Sequence, residues 1–271
     1  MQTNERVRPL LSICIPTYNR RRYLEELLPE AIRQIGDLSQ GTVEVLVSDN
    51  CSTDGTADYL RATDSTFLTW WTNKSNIGGD RNFLKCIQEA RGEYVWLVGD
   101  DDLLAEQAVR RVCEVIRHDA PGLIIDGPVH GSDSECYADY RNFLLATCRE
   151  NQSAAMAHTL ISANVFRKSA FVLPFAEEKL YTQYAHMFGL MKGLSGSVRV
   201  MPRLISVRPV RAPFAEFPVC LCVKQAFYLW YLASRFNIPR FKWYAIKNVG
   251  NLPFEYLSRL KNYFRGKSNA V

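Results

Sequence analysis

The first half of the chain alternates short apolar runs with longer segments whose apolar residues recur every three or four positions. The short runs predict five β-strands, at Leu10–Ile15, Val43–Val47, Phe67–Thr72, Glu93–Val98 and Leu123–Asp126. The longer segments predict helices between these strands, at about 22–35, 80–90 and 104–117, with Asn19 and Asp80 as caps of the first two. Such alternation predicts an α/β fold with a mostly parallel sheet and helices on both faces.

Polar residues cluster where four of these predicted strands end. The clusters occupy residues 17–20, 48–54, 76–82 and 100–102. In open sheets of this type, ligands bind beyond the carboxyl ends of the strands. We therefore expect the four clusters to converge on one edge of one sheet and to form a binding site there.

The most unusual of these clusters is the run of three aspartates that ends the segment VWLVGDDD, residues 95–102. Carboxylate oxygens are the ligands that Mg²⁺ prefers, commonly one or two of them together with phosphate oxygens of a substrate. The alternative is a solvated acidic turn that stabilises the N-terminus of the helix predicted from Leu104, because a helix dipole favours negative charge there.

Four segments resemble the family 2 glycosyltransferases of the GT-A fold, which is a Rossmann-like sheet. They are ICIPTYNR (13–20), VSDNCSTDGT (47–56), NIGGDRN (76–82) and GEYVWLVGDDD (92–102), in the order and spacing of the family. The GDDD ending is similar to a bacterial branch that includes abequosyltransferase-like proteins. The resemblance implies a catalytic domain at 1–215, with its nucleotide-sugar-binding half at about 10–120 and its acceptor half at 121–215.

The resemblance also implies roles for residues at matching positions, with a nucleotide diphosphate sugar as donor and Mg²⁺ or Mn²⁺ as cofactor. Donor contacts are implied for Thr17, Tyr18, Asp49, Arg81, Asp100 and Asp101, and a metal ligand at Asp101 or Asp102. Arg20 lies close enough to the first loop to meet a phosphate, and a solvated basic patch is the alternative. Arg208 or Arg211 falls where relatives carry a loop that closes over the diphosphate, and a basic surface near the membrane is the alternative there. Many relatives have an aspartate where this chain has Gly99. By themselves, Thr17 and Tyr18 also fit a simple turn after Pro16.

The catalytic base is less clearly marked. Family members typically use an aspartate of a Glu-Asp pair near the start of a helix, and the matching segment here, 177–193, lacks that pair. His186, Glu178 and Asp126 are the titratable candidates for deprotonating the acceptor hydroxyl. A single histidine in an apolar helix also fits a packed, hydrogen-bonded role.

The C-terminal region, residues 216–271, differs from the rest in charge. Residues 1–198 carry 20 Lys/Arg and 26 Asp/Glu, whereas residues 199–271 carry 13 Lys/Arg and 2 Asp/Glu. Its helical segments interleave basic and aromatic residues, as helices at a bilayer interface do. We expect a helical appendage that binds the membrane surface, close to a lipid-linked or saccharide acceptor. Packing against the catalytic domain or a partner subunit is the alternative. No nucleic-acid-binding module is recognisable, so no nucleic acid partner is expected.

The remaining features favour a protein at the inner face of the cytoplasmic membrane. The eight cysteines form no CxxC pair and fit free thiols in a reducing cytosol. We expect neither a signal peptide nor a spanning helix, because the first apolar run is short and no run of 18 apolar residues occurs. The expected activity is an inverting transfer onto a lipid-linked or growing surface glycan. Alternatives are a catalytically degenerate scaffold and a sugar nucleotidyltransferase, although the latter normally has a glycine-rich first loop.

Overall fold

The computed structural model describes residues 8–127, 134–150, 161–172, 189–190 and 193–207. Their strands are β1 Leu11–Thr17, β2 Val43–Asp49, β3 Leu68–Thr72, β4 Tyr94–Leu97, β5 Asp102–Leu104, β6 Leu123–Asp126, β7 Glu135–Tyr137, β8 Asn164–Arg167, β9 Val198–Met201 and β10 Ile205–Val207. Their helices are α1 Arg21–Gly36, α2 Thr56–Ala62, α3 Gly79–Glu89, α4 Ala108–Asp119 and α5 Tyr140–Glu150, with 3₁₀ turns at Ile161–Ala163 and Lys168–Ala170.

Eight of these strands form one sheet in the order β3-β2-β1-β4-β8-β6-β9-β7. The first four run parallel to one another, and β8 joins β4 to β6 by pairing antiparallel with both. β6 and β9 are parallel, and β7 lies antiparallel at the edge. β5 and β10 form a separate antiparallel pair. The mostly parallel α/β sheet predicted from the sequence is confirmed.

The central strands are buried on both faces, which explains their continuous apolar sequences. Every residue of β1 and β2 is buried. Alternate β1 residues Leu11, Ile13 and Ile15 pack into a cluster with the apolar sides of α1 and α4. On the other face, the Cys14 thiol contacts the Cys86 carbonyl of α3. Within the described residues, helices therefore cover both faces of the first strands.

Two of the predicted elements are wrong in their details. The helix expected from Leu104 begins at Ala108, because Asp102–Leu104 forms β5 instead. The alternating sequence of residues 197–207 favours a single strand, whereas the structure divides it into β9 and β10, which belong to different sheets. In both cases the deciding contact is the pairing of β5 with β10, about a hundred residues apart in the sequence. No local periodicity reports such a contact.

The predicted helix caps are also corrected. The Asn19 side chain does not cap α1, because its Oδ1 accepts a hydrogen bond from Thr53 N in the β2–α2 loop. The α1 N-terminus is capped by Asp54, whose Oδ2 accepts from Arg21 N at 2.9 Å. Asp80 lies within the first turn of α3, since the cap position is Gly78. The side chains of Asn19 and Asp54 therefore link the β1–α1 and β2–α2 loops by hydrogen bonds.

The described residues all lie in one of two compact units, which ends at Arg208. The boundary predicted at 215 and the helical character of the basic region fall outside the described residues and stay predictions. Among the helices that the structure does describe, none is both long and apolar enough to cross a membrane. Cys14, Cys51, Cys86, Cys113 and Cys136 are free thiols, and Cys14, Cys86 and Cys113 are buried.

Candidate active site

The loops that follow β1 and β4 are joined by a group of charged and polar side chains. The Thr17 hydroxyl donates to Asp100 Oδ2 at 2.7 Å. The Arg20 guanidinium donates to Asp100 Oδ1 at 2.9 Å and lies 2.8 Å from Asp101 Oδ2. Asp100 is buried and Asp101 is half exposed. Two of the four sequence clusters therefore meet at the carboxyl edge of adjacent parallel strands, as predicted.

Burial and charge act in opposite directions on this group. Burial raises the pKa of Asp100 to about 6, although Arg20 and the Thr17 hydroxyl both favour the ionised carboxylate. Burial also acts to lower the pKa of Arg20, but Asp100 and Asp101 outweigh it and the pKa is raised. The positive charge of Arg20 thus offsets the repulsion between the Asp100 and Asp101 carboxylates.

The third aspartate is held from another part of the chain. Asp102 Oδ2 accepts a hydrogen bond from the Ser162 hydroxyl at 2.5 Å, and the same hydroxyl accepts from Gly99 N at 2.7 Å. Asp102 N donates to the Gly99 carbonyl at 3.1 Å, which closes the turn that carries all three aspartates. The acidic residues therefore project from a tight, internally bonded turn.

Gly99 explains how the carboxylates approach one another. A Cβ atom at this position would lie 3.2 Å from Asp101 Oδ1 and 3.3 Å from Asp102 Oδ2, closer than most packed side chains allow. The two carboxylates therefore border the same small space next to the Gly99 backbone. The departure from the Asp-x-Asp-Asp pattern removes a fourth carboxylate from a place where it would be crowded and repelled.

The carboxylate oxygens of this turn suit a hard divalent cation as ligands. Within the described ranges, no three Asp, Glu, His or Cys side chains converge closely enough to hold a metal by themselves. A site with two carboxylates is what Mg²⁺ or Mn²⁺ needs when phosphate oxygens complete its coordination. Asp101 and Asp102 fit this requirement, because both are oxygen donors on one turn and Asp101 is accessible.

The loop after β2 is fixed by buried amide and carboxylate groups. Asp49 is fully buried and accepts from Ser52 N and from the Thr72 hydroxyl, each at 3.0 Å. Asn50 Oδ1 accepts from Asn73 and from Ile77 N, at 3.1 and 3.0 Å. Each Asp49 oxygen retains a lone pair for a further donor. Asp49 has no exposed surface in this arrangement, and no contact in the structure tests its predicted contact with a base.

The same network includes the start of α3. The Asn82 side chain accepts from the Ser48 hydroxyl at 2.7 Å and donates to the Ser48 carbonyl at 2.9 Å. Arg81, its neighbour, is half-buried, and Tyr18 after β1 is 43% exposed. All four predicted loops thus lie at the carboxyl ends of β1, β2, β3 and β4. Tyr18 has the exposure that stacking on a base would require.

Asp126 at the end of β6 makes contacts that fit a structural role. Its two oxygens accept from the backbone N–H groups of Leu204 and Ile205, at 3.0 and 3.2 Å. Burial raises its pKa, while these backbone donors favour the ionised form. Asp126 therefore fixes the segment between β9 and β10. The other base candidates, His186 and Glu178, and the predicted phosphate contact Arg208 lie outside the described residues.

Sequence reasoning missed Ser162, which contacts both Gly99 and Asp102. It lies in the sequence LISANVF, where nothing marks a serine as part of a site. It also missed Asn50 and Asn73 as buried members of the loop network. An asparagine beside a predicted strand end gives only a general signal for a turn.

The fold of the protein is similar to the folds of solved glycosyltransferases. UDP-bound S. aureus TarS 1–349 superposes with a TM-score of 0.58 at 18% identity, covering 92% of this chain and 77% of that one. The mannosyltransferase PcManGT of Pyrobaculum calidifontis, in complex with GDP-Man and Mn²⁺, gives 0.55 at 15% identity, covering 95% and 80%. The protein has the GT-A glycosyltransferase fold.

The family follows from the sequence match. The model of glycosyl transferase family 2 matches residues 12–167, more than half of the chain, and the protein belongs to that family. Abequosyltransferase RfbV of Salmonella typhimurium strain LT2 is 41% identical over 103 residues. That match covers 37% of this chain and 30% of the relative, so the chain matches less than a third of the relative's length.

Proposed function

We propose that the protein is a metal-dependent, inverting glycosyltransferase that moves a sugar from a nucleotide diphosphate sugar to a bacterial surface polysaccharide or its lipid-linked precursor. The observation that carries this proposal is the bonded group of Thr17, Arg20, Asp100 and Asp101 at the sheet edge of a family 2 chain. The similarity to an abequosyltransferase supports a hexose or a deoxyhexose as the sugar.

Different loops at the carboxyl ends of the strands would contact different parts of the donor. Tyr18 and Asp49 would contact the nucleoside, Tyr18 by its exposed ring and Asp49 once the loop residues that bury it have moved. Arg81 at the N-terminus of α3 would face the diphosphate, where the helix dipole also favours negative charge. Asp100 would contact the ribose or the sugar. Arg20, now bound to Asp100 and Asp101, could shift toward a phosphate once a cation shares their charge.

Asp101 and Asp102 would hold Mg²⁺ or Mn²⁺ together with the donor diphosphate. When bound, such an ion neutralises the charge that develops on the leaving diphosphate. The acceptor hydroxyl then needs a base on the opposite side of the sugar. His186 and Glu178 remain the proposed candidates, and Asp126 is the weakest of the three because backbone donors engage both of its oxygens.

Metal-dependent nucleotide binding is the first test of this function. We expect one nucleoside diphosphate to raise the melting temperature in Mn²⁺, since a ligand at a hundredfold excess over its Kd stabilises the native state by about 2.7 kcal/mol. A thermal-shift screen of UDP, GDP, CDP and dTDP measures this. The same screen in EDTA is the control. If no diphosphate stabilises the protein in a metal-dependent way, the transferase proposal is wrong and the degenerate scaffold becomes the better reading.

We also propose that residues 216–271 bind the cytoplasmic face of the membrane. The support is compositional, because Lys224, Arg235, Arg240, Lys242 and Lys247 alternate with eight aromatic residues in the segment from 224 to 247. Aromatic rings enter the headgroup region while basic side chains meet anionic lipids. This placement would bring the catalytic unit to a lipid-linked acceptor.

Neutralising four of these charges tests the membrane proposal. Each basic residue near an anionic leaflet contributes about 1 kcal/mol, so changing Arg235, Arg240, Lys242 and Lys247 together to Gln is expected to weaken vesicle binding at least about a hundredfold. Sedimentation with vesicles of phosphatidylglycerol and phosphatidylcholine measures the change.

The matched control removes four exposed arginines of the catalytic unit instead. Gln at Arg33, Arg61, Arg110 and Arg117 changes the net charge equally but leaves the basic region intact. We expect this variant to bind vesicles as the parent does. Equal loss in the two variants would show that net charge alone drives binding, and undiminished binding of the first variant would contradict the proposal.

A further inference from the structure

Ser162 lies under the acidic turn and contacts it at two points. The residue belongs to the 3₁₀ turn Ile161–Ala163 that precedes β8, and it is 1% exposed. Its hydroxyl accepts from Gly99 N at 2.7 Å and donates to Asp102 Oδ2 at 2.5 Å. One hydroxyl therefore connects the backbone at the start of the turn to the carboxylate at its end.

The position of this hydroxyl is itself fixed. The Ser162 carbonyl accepts from the indole Nε1 of Trp96 at 2.9 Å, and Trp96 is a fully buried residue of β4. β8, which follows directly, pairs antiparallel with β4 along Tyr94, Val95 and Trp96. The Ser162 backbone, which carries the hydroxyl, is thus held against the strand that carries the acidic turn.

The two hydrogen bonds of the hydroxyl act in the same direction. A hydroxyl that accepts one hydrogen bond directs its own proton to the other partner, so the Gly99 contact orients the donor toward Asp102. The carboxylate then has one oxygen committed to a fixed donor, which limits rotation of the side chain. A metal ligand held in one orientation binds more tightly than one that must be ordered on binding.

We propose that Ser162 is a positioning residue that orients the Asp102 carboxylate for the divalent cation and the donor diphosphate. The inference rests on the proposed function, because it takes Asp102 as a metal ligand. The same residue also provides the acceptor for Gly99 N, which is a structural contribution independent of any metal. The two contributions predict different results when Asp102 is changed, and this difference makes the inference testable.

The test is a double-mutant cycle on Mn²⁺ affinity, read by electron paramagnetic resonance of free Mn²⁺ in the presence of the nucleoside diphosphate identified in the screen. Removing a partner that orients a metal ligand typically weakens metal binding by 10–100-fold, so we expect about a tenfold or larger loss for Ser162→Ala. In an Asp102→Asn background, any Mn²⁺ affinity that remains through Asp101 is expected to show no further loss from the same change. The melting temperature should fall in both backgrounds, because Gly99 N loses its acceptor in each.

Two further variants keep the result decisive. Ser162→Thr retains the hydroxyl and is expected to restore most of the Mn²⁺ affinity. Ser162→Cys has nearly the size of serine but donates more weakly, so it is expected to lose affinity even if Ser162→Ala folds poorly. The positioning role would be overturned if Ser162→Ala and Ser162→Cys both bound Mn²⁺ like the parent while Asp102→Asn did not. The proposed function would then stay intact. A parent protein that binds no Mn²⁺ with any nucleoside diphosphate would overturn both.

Discussion

Changing Asp101 or Asp102 to Asn is expected to abolish Mn²⁺-dependent donor binding in at least one of the two variants, without unfolding the protein. Either change removes one of two carboxylates that border the same space beside Gly99. Removing one preorganised donor that stabilises transition-state charge commonly costs on the order of a hundredfold to a thousandfold in kcat, and we expect an effect on that scale here. Isothermal titration with the nucleoside diphosphate and single-turnover transfer measure the two effects.

The folding cost of these changes should be small. The Asp101 side chain is half exposed, and its partner Arg20 keeps the buried Asp100. Exposed ion pairs contribute at most about 1 kcal/mol to the free energy of unfolding. Asn at position 102 can still accept from the Ser162 hydroxyl through its amide oxygen. Loss of donor binding with a nearly unchanged melting temperature therefore separates a metal ligand from a residue that only supports the turn.

The matched control is Asp58→Asn, which removes an exposed aspartate on α2 that pairs with Arg61. It changes the net charge by the same amount as the test variants, on a different element. We expect unchanged donor affinity. If Asp101→Asn and Asp102→Asn both turn over donor at the parent rate, the metal assignment is wrong, whatever the control shows.

The parts of the site that could be predicted from the sequence depend on local patterns and on the common direction of parallel strands. β1, β2 and β4 are continuous apolar runs because they are buried on both faces, and a parallel sheet places their following loops on one edge. The contacts of Thr17 and Arg20 with Asp100 follow from that placement, since β1 pairs directly with β4. The chemistry of the aspartates was readable because three adjacent carboxylates are costly without a compensating charge.

The parts that could not be predicted depend on contacts between distant segments. β8 enters the sheet antiparallel between β4 and β6, and only that pairing brings Ser162 to Gly99 and Asp102. The sequence around Ser162 carries no signal for it. Likewise Asn19 and Asp54 are both good capping residues, and the choice between them was decided by the packing of one loop on the other.

A second large effect is expected at the amino ends of the first strands, opposite the candidate site. Gly92→Ala should lower the free energy of unfolding there by about 3 kcal/mol. A Cβ at this position would lie 2.6 Å from the backbone nitrogen of Ser12 and 2.7 Å from the Tyr94 carbonyl. These atoms belong to β1 and β4 and cannot move without breaking the parallel pairing. Chemical denaturation followed by tryptophan fluorescence measures the loss.

The same substitution would disturb a buried polar group that joins the first strands. Gly92 N donates to the Ser12 hydroxyl at 2.8 Å, and that hydroxyl donates to Glu44 Oε1 at 2.6 Å. Glu44 is buried and also accepts from the backbone and guanidinium of Arg91. Displacing Gly92 therefore risks leaving a buried carboxylate with fewer donors, which adds to the cost of the steric clash.

Gly36→Ala is the matched control, because a Cβ at the end of α1 meets nothing within 4 Å. Its helical backbone accepts alanine, so the free energy of unfolding should stay the same or rise by up to about 1 kcal/mol. Since Ser12, Glu44 and Gly92 lie at the amino ends of β1, β2 and β4, folded Gly92→Ala protein should bind donor as the parent does. Equal stability of the two alanine variants would mean that the first strands are not packed as tightly as the β1–β4 contact requires. A loss of donor affinity in folded Gly92→Ala would mean that the two edges of the sheet are coupled.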